Sequence, residues 1–599
     1  MSQTHYTPEE IKVVSINEEE LTIPKIVAVA RYLGSVEPFK GPKRTKVEEI
    51  RKYVEENWLS DTSEPQYGFN TGVGALKNVK ISQENIKKFQ ELYIKSHSVG
   101  VGEPFDVEIV RATMLLQANA LAKGYSGIRP IIIDKLIEML NKGIHPVVPE
   151  QGSLGASGDL APLTHITAVL VGENDADVWV DQQKARIRDL KISSDVLKFQ
   201  RDGEDVTFQT IDLHGKEAVS LTNSTAVMLA ISCLLIHDVE RLLGNADISA
   251  ALSLEAMMCE KDAFAEELHA LRNQEGQIRT ATNIRQLTAG SKRMTAEARR
   301  AYFVYITKQR LNKNLKESKH KDWYHAVKHY KLNYEFEQKR VQDAYSLRCV
   351  PQVHGACKDA FRHVKSIVER EISAVTDNPV IFATRNGAGY EAKSGGNFHG
   401  EPLALALDFL ALALAEIGSI SERRMFRLLS PTMSFGLPRN LTGGEPGLNS
   451  GYMLIQYTSA QLVSENKILA HPACVDSIPT SDNQEDHVSM GMTSARKANR
   501  ILDNVQNLIA MEFMCAVQGI HLSSQDERLS LAKFPLGKGT SAVFNFIKEY
   551  QVTDEGVKPF QRMQEDEFVH TKIQTMRRLS DSDQILSVFR NKADFTLLI

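Results

Sequence analysis

Apolar residues recur along most of this chain at spacings of three and four, the period that lays them on one side of an α-helix. Residues 105–124 (FDVEIVRATMLLQANALAKG), 224–258 and 451–470 carry the pattern in strong helix formers, and each predicts a long helix. Gly124 and Gly143 close periodic runs and Pro130 opens one, as suits glycine and proline at helix ends. Several runs are apolar nearly all round and predict helices in the middle of a large bundle. The longest apolar stretch, residues 402–418 (PLALALDFLALALAEIG), is interrupted by Asp408, is too short to span a bilayer, and predicts a buried helix. Period-two alternation is sparse. Its best instance, residues 176–190, predicts a hairpin on the surface of a helical body. The polar stretch 191–213 and the Lys-, His- and Tyr-rich stretch 307–340 predict insertions, the second a solvated charged helix.

The fold expected from this pattern is mainly α: a central bundle of long helices, a smaller N-terminal α-rich domain and a small surface β-hairpin. Its parts are an N-terminal domain over 1–215, the bundle over 216–522 with the insertion 307–340, and a C-terminal extension over 523–599. The 71 basic residues nearly balance the 75 acidic ones, a net charge of −4 that excludes nucleic acid or an anionic membrane as main partner and points to a small molecule. The first residues carry no apolar core of a signal peptide, so a cytoplasmic protein is expected. The 6 cysteines are scattered without Cys-x-x-Cys, which predicts buried free thiols and neither disulfides nor zinc.

Residues 152–163, GSLGASGDLAPL, crowd small side chains around Asp159. A phosphate cradle would need G-x-G-x-x-G or a following Lys, and here the glycines at 152, 155 and 158 are spaced otherwise. A hydrolase elbow would need G-x-S-x-G, and Asp159 stands where the last glycine belongs. A tight loop entering a helix remains open. So does a reactive backbone: in a forced bend the unhindered amide nitrogen of Gly158 can approach the Ala156 carbonyl carbon and close a five-membered ring. Loss of the ring-closing water and of the Ser157 hydroxyl would leave a methylidene group, an electrophile that no side chain supplies.

This stretch resembles the aromatic amino acid ammonia-lyases and aminomutases, and four further blocks follow in that family's order, so that the resemblance covers roughly residues 50–522. It implies that Ala156, Ser157 and Gly158 mature into a 4-methylideneimidazol-5-one (MIO) group, with no metal and no external cofactor. YGFNTGVG (67–74) resembles the family's tyrosine loop and implies Tyr67 as the base that removes the β-proton, a task that needs neighbours favouring phenolate. In QDAYSLRCVPQ (342–352), spacings of three put Gln342, Tyr345 and Arg348 on one helical face, which resembles a carboxylate clamp with Arg348 bidentate on the substrate. The resemblance further implies that Asn223 hydrogen-bonds near the prosthetic group and that Phe398 packs beside it. Residues 464–491 resemble the histidine branch most closely, and Glu465 aligns with a carboxylate that meets the substrate ring; a buried carboxylate suits an imidazole N–H. His97 fits the same branch, though a histidine also hydrogen-bonds a phenol.

The resemblance implies non-oxidative elimination of ammonia from L-histidine to trans-urocanate, in a homotetramer whose active sites are assembled from several subunits. A tyrosine or other aromatic ammonia-lyase, a 2,3-aminomutase and a non-catalytic scaffold are the alternatives. The chain departs from the pattern in the long 307–340 segment and in Gln274, where the family has His.

Overall fold

The computed structural model describes residues 7–18, 20–317, 340–387, 389–550, 560–590 and 597–599. The protein is mainly α, with a central bundle of long helices. Among the described residues five helices, Ala226–Ala256, Ala296–Glu317, Val350–Ile372, Glu401–Leu429 and Gly491–Ser523, exceed 20 residues. Helices also form at Val107–Leu121, Pro130–Asn141 and Met453–Leu469, where the apolar period and the glycine and proline signals place them. Of the expected insertion 307–340, residues 318–339 lie outside the described residues; before them runs the helix Ala296–Glu317.

The chain divides into two compact units. One comprises Met1–His237, His363–Phe409 and Pro472–Asn499; the other comprises Asp238–Arg362, Leu410–His471 and Arg500–Ile599. In the second unit the long helices meet through buried ionic groups. Asp247 accepts from His354 Nδ1 at 2.8 Å and Lys358 Nζ at 2.6 Å, and Glu512 accepts from Arg424 Nη2 at 2.8 Å, from Ser253 Oγ at 2.7 Å and from Ser421 Oγ at 2.7 Å. All seven side chains are buried, so each charge depends on its partner for stabilisation.

In the first unit the hairpin forms as expected, strand Asp177–Val180 pairing with Gln183–Arg186 around Asp181 and Gln182, both left-handed (φ 44° and 67°). The polar stretch 191–213 is a second hairpin, Val196–Arg201 with Glu204–Gln209, turned by Asp202-Gly203. Its alternation is interrupted by charged residues, but an Asp-Gly pair between two six-residue runs was the available signal.

The apolar run beginning at Pro402 continues well past Gly418, in a helix of 29 residues that is long and apolar enough to cross a membrane by length and composition. It is not wholly buried, contrary to expectation: Leu405, Phe409 and Leu412 are 55%, 45% and 45% exposed. Asp408, among these positions, is nevertheless 2% exposed; it accepts from the Ala473 and Cys474 amides (2.7 and 2.8 Å), Ser494 Oγ (2.8 Å) and Lys497 Nζ (2.8 Å).

Candidate active site

The small-residue loop leaves the strand Pro149–Gln151, which pairs with Val101–Pro104, and ends at the helix Leu160–Leu170. Between them Gly152, Gly155 and Gly158 all have positive φ (138°, 67° and 72°). At 158 the space is as demanding as the angle: a Cβ would lie 2.4 Å from the Ser224 carbonyl oxygen and 2.6 Å from its carbonyl carbon and nitrogen. The bend is clamped from both ends. Gly155 O accepts from Ser489 Oγ at 3.1 Å and from Gly400 N at 3.2 Å, while Asp159 N donates to Ser224 O at 2.8 Å. Asp159 does not cap its own helix. Its Oδ2 instead accepts from Val227 N (3.0 Å) and Met228 N (2.9 Å), at the start of Ala226–Ala256, and its Oδ1 accepts from Ser153 Oγ (2.9 Å). Complete burial outweighs these three donors and pushes the Asp159 carboxyl up to about 7.

Ala156 and Ser157 face a cavity of about 840 Å³, which Tyr67, His97, Asn223 and Phe398 also line. Each wall residue is held by its element. Tyr67 precedes Phe69, which is buried with Ile50, Val54, Trp58 and Ile381 and meets Trp58 edge to face at 5.1 Å. On the helix Ile86–His97, Tyr93 and His97 lie one turn apart and their rings stack at 3.8 Å. His97 Nδ1 is 2.9 Å from the Tyr93 carbonyl, which can only accept, so Nδ1 carries the hydrogen and Nε2 is left as an acceptor. Burial lowers the His97 pKa, against the opposing pull of that carbonyl and of Glu485, and favours the neutral ring.

Asn223 donates through Nδ2 to Asn378 O at 3.3 Å, while its Oδ1 is buried without a hydrogen-bond partner among the described residues. A buried, unmatched acceptor beside the small-residue loop is costly unless a ligand or prosthetic donor meets it. Asn378 Oδ1 in turn accepts from Gly395 N at 2.7 Å and pins the segment leading to Phe398. Behind this wall Lys216, fully buried, donates to Asp377 Oδ1 at 2.7 Å and to Asn378 O at 3.1 Å.

Tyr67 has one neighbour that favours phenolate, the Gly74 amide, 3.2 Å from its hydroxyl. Burial raises its pKa nonetheless, and the charge of Glu485 adds to the rise. The phenolate-favouring surroundings expected of a base are therefore only partly supplied by this unit.

The cavity also contains residues that motif reasoning did not single out: Lys77, His399, Gln484, Glu485, Asp486 and His487. His399, Glu401 and His487 bring one ligand atom each within 4.8 Å of one another, a spacing that could hold a metal ion. Both ring nitrogens of His399 are already engaged, however, Nδ1 accepting from Glu401 N at 3.3 Å and Nε2 donating to His487 O at 3.1 Å.

Gln342, Tyr345, Arg348 and Glu465 belong to the other unit and are not among the residues lining this cavity. The three clamp residues do not share a helical face either. Only Tyr345–Arg348 forms a helical turn, and Gln342 precedes it in irregular chain, next to Asp343, whose carboxylate is held by buried Arg340 at 2.7 Å. Arg348 lies over the Tyr345 ring (4.6 Å) and donates Nε to Asp343 O at 2.9 Å, while Tyr345 is 71% exposed. Glu465 is half-buried, not buried, and accepts from Gln461 Nε2 at 3.1 Å and Arg500 Nη2 at 3.2 Å.

A sequence profile described as aromatic amino acid lyase matches residues 21–549. A protein of Fusobacterium nucleatum named histidine ammonia-lyase 2 is 43% identical over 538 residues, 90% of this chain and 92% of its own length. Among solved structures, a tyrosine aminomutase from Streptomyces globisporus superimposes with a TM-score of 0.78 at 30% identity, covering 98% of this chain and 100% of that one. A histidine ammonia-lyase from Trypanosoma cruzi gives 0.76 at 30% identity, covering 96% and 95%.

Proposed function

This chain belongs to the aromatic amino acid lyase family, and from that premise we propose that it eliminates ammonia from L-histidine, without oxidation, to give trans-urocanate. The observation that carries the reading is the convergence of Tyr67, His97, Ser157, Asn223 and Phe398 on one cavity, in a carbon–nitrogen lyase whose relatives at about 40% identity are named histidine ammonia-lyases.

Ala156, Ser157 and Gly158 fit an MIO group: only glycine is accommodated at 158, the bend is clamped, and Asn223 Oδ1 lacks a donor. That group supplies an electrophilic carbon that turns the substrate amine into a leaving group. The remaining work falls to side chains. Tyr67 removes the β-proton, with the Gly74 amide stabilising its phenolate. His97 Nε2 accepts the imidazole N–H of the substrate, and Phe398 packs on the cavity wall.

Arg348 binds the substrate carboxylate with Gln342 and Tyr345 beside it, and Glu465 meets the imidazole; in this reading other copies of the chain in a homotetramer bring them to the cavity. The exposure of Gln342 and Tyr345 supports it, as do the apolar side chains that the bundle leaves in solvent: Leu405 and Phe409 on one helix, Leu454, Tyr457 and Ile468 on another, 45–74% exposed. Six free thiols, none in a disulfide, suit a cytoplasmic enzyme.

Ultraviolet-monitored turnover of L-histidine, L-tyrosine and L-phenylalanine in parallel, with ammonia assayed at the endpoint, tests the proposal. Urocanate and ammonia from histidine alone are expected, and turnover of an aromatic substrate instead would overturn it. The likeness to a tyrosine aminomutase keeps a second outcome in view. NMR of the products separates the two, since a β-amino acid as main product identifies a mutase.

A further inference from the structure

Far from the cavity, within the second unit, residues 597–599 are gripped by their main chain. Asn283 Oδ1 accepts from Leu598 N at 2.8 Å and Asn283 Nδ2 donates to Leu598 O at 2.8 Å, so one side-chain amide closes on both polar groups of one residue. Lys358 Nζ donates to the same carbonyl at 2.8 Å, and Arg279 Nη1 donates to Ile599 O at 2.7 Å. The flanking side chains lie together against Gly244. A Cβ there would be 3.7 Å from both Leu597 Cδ1 and Ile599 Cδ1, the same-side placement of residues i and i+2 in an extended chain.

Three helices supply this grip: Ala226–Ala256 carries Gly244 and Asp247, Glu275–Leu287 carries Arg279 and Asn283, and Val350–Ile372 carries Lys358. Asp247 Oδ2 accepts from both Asn283 Nδ2 (2.8 Å) and Lys358 Nζ (2.6 Å), and so holds the two groups that meet Leu598. Asn283 and Lys358 are fully buried whereas residues 597–599 are half-buried, which puts the polar groups in the floor and the segment over them. Packing an apolar segment needs no such floor. With no main-chain N–H to meet it, Asn283 Oδ1 would lose its donor in a buried place, which is costly. What the floor matches is one peptide unit between two apolar side chains, and main-chain groups of that kind are common to any extended peptide.

We propose that Asn283, Lys358 and Arg279 form a peptide-recognition site whose ligand is an extended apolar-x-apolar segment, filled by this chain's own residues 597–599 and open to the same sequence supplied as a separate peptide. Residues 591–596 join the segment to the helix Gln584–Arg590. A tether of that length keeps its ligand at an effective concentration of about millimolar, ahead of peptides in solution.

Proline at 598 lacks the N–H that Asn283 Oδ1 accepts and restricts residue 597 as well, so full-length protein carrying Leu598→Pro leaves the site vacant. A fluorescein-labelled peptide of residues 593–599 is titrated into it and into the wild-type protein, with anisotropy as the readout. The peptide is expected to bind the Leu598→Pro protein about tenfold or more tightly than the wild type, whose own segment competes. The peptide carrying Leu598→Pro is expected to bind neither, and adding Asn283→Ala to the Leu598→Pro protein is expected to abolish binding of the natural sequence. Equal affinity for the two proteins, no binding to the Leu598→Pro protein, or binding that survives either change overturns the proposal. Hydrogen exchange in the wild-type protein reads the site without a variant. The Leu598 amide is expected to exchange about a hundredfold or more slowly than in the free peptide, and exchange at the free-peptide rate overturns the proposal as well.

Discussion

Gly158 and Asp159 do opposite things with the same neighbour. Gly158 must lack a side chain because Ser224 backbone fills the space, whereas the Asp159 amide donates to that residue's carbonyl. Gly158→Ala places a Cβ against main chain that cannot yield, and the expected outcome is a protein that keeps the mass of two waters, read by intact mass spectrometry. Asp159 carries a pH signature of unusual sign. Its folded pKa of about 7 lies above the ordinary aspartate value, so the stability linked to its proton is fully present below about 3.9 and is lost as pH rises through about 7. Asp159→Asn, neutral throughout, should flatten that limb of a plot of thermal midpoint against pH between about 4 and 7. The residues a motif can name, Tyr67, His97, Ser157, Asn223 and Phe398, were legible in the sequence and line one cavity. Glu485 and the histidines at 399 and 487 were not, because their proximity comes from tertiary folding that no local spacing encodes.

At the scale of an element, the helix Glu401–Leu429 shows how one polar residue is accommodated in an apolar run. Asp408 gathers two amides, a hydroxyl and an ammonium, and although burial alone would raise its pKa, these donors together lower it. The stability it contributes is therefore present above the ordinary aspartate pKa and lost as pH falls through the lowered value. Asp408→Ala leaves Lys497 and two amides without this acceptor and should cost about 3–5 kcal/mol in chemical denaturation, with Asp408→Asn costing less. The sequence read Asp408 as an interruption, since periodicity weighs apolarity and is blind to donors arriving from residues 473–497. Helix limits were legible where glycine or proline marks them, as at Pro130 and Gly124. The expected common face of Gln342, Tyr345 and Arg348 failed because the helix begins only at Tyr345, a boundary that spacing alone does not set.

At the scale of the whole molecule, the cavity draws its walls from one unit, while the proposed carboxylate clamp lies in the other and is in part exposed. If other copies supply the clamp, Tyr67→Phe and Arg348→Ala are separately inactive but complement each other when coexpressed. Random mixing should restore activity to about a quarter of the wild-type level, because half the sites receive an intact Tyr67 and half of those an intact Arg348. Activity no higher than that of the two variants mixed after purification would show that both residues must come from one chain. The apolar period revealed the helices but not that Leu405 and Phe409 would face solvent, since a face that packs on a partner copy reads in sequence like one that packs in a core. The clamp on Gly158 carries a consequence in time. Ser224 lies 66 residues downstream of the loop it bends, so the chain must reach and fold this far before ring closure has its geometry. On the maturation proposed above, chemistry would be ordered after folding, a chain that misfolds would never arm itself, and the reactive carbon would first exist inside a walled cavity where passing cellular nucleophiles meet protein first.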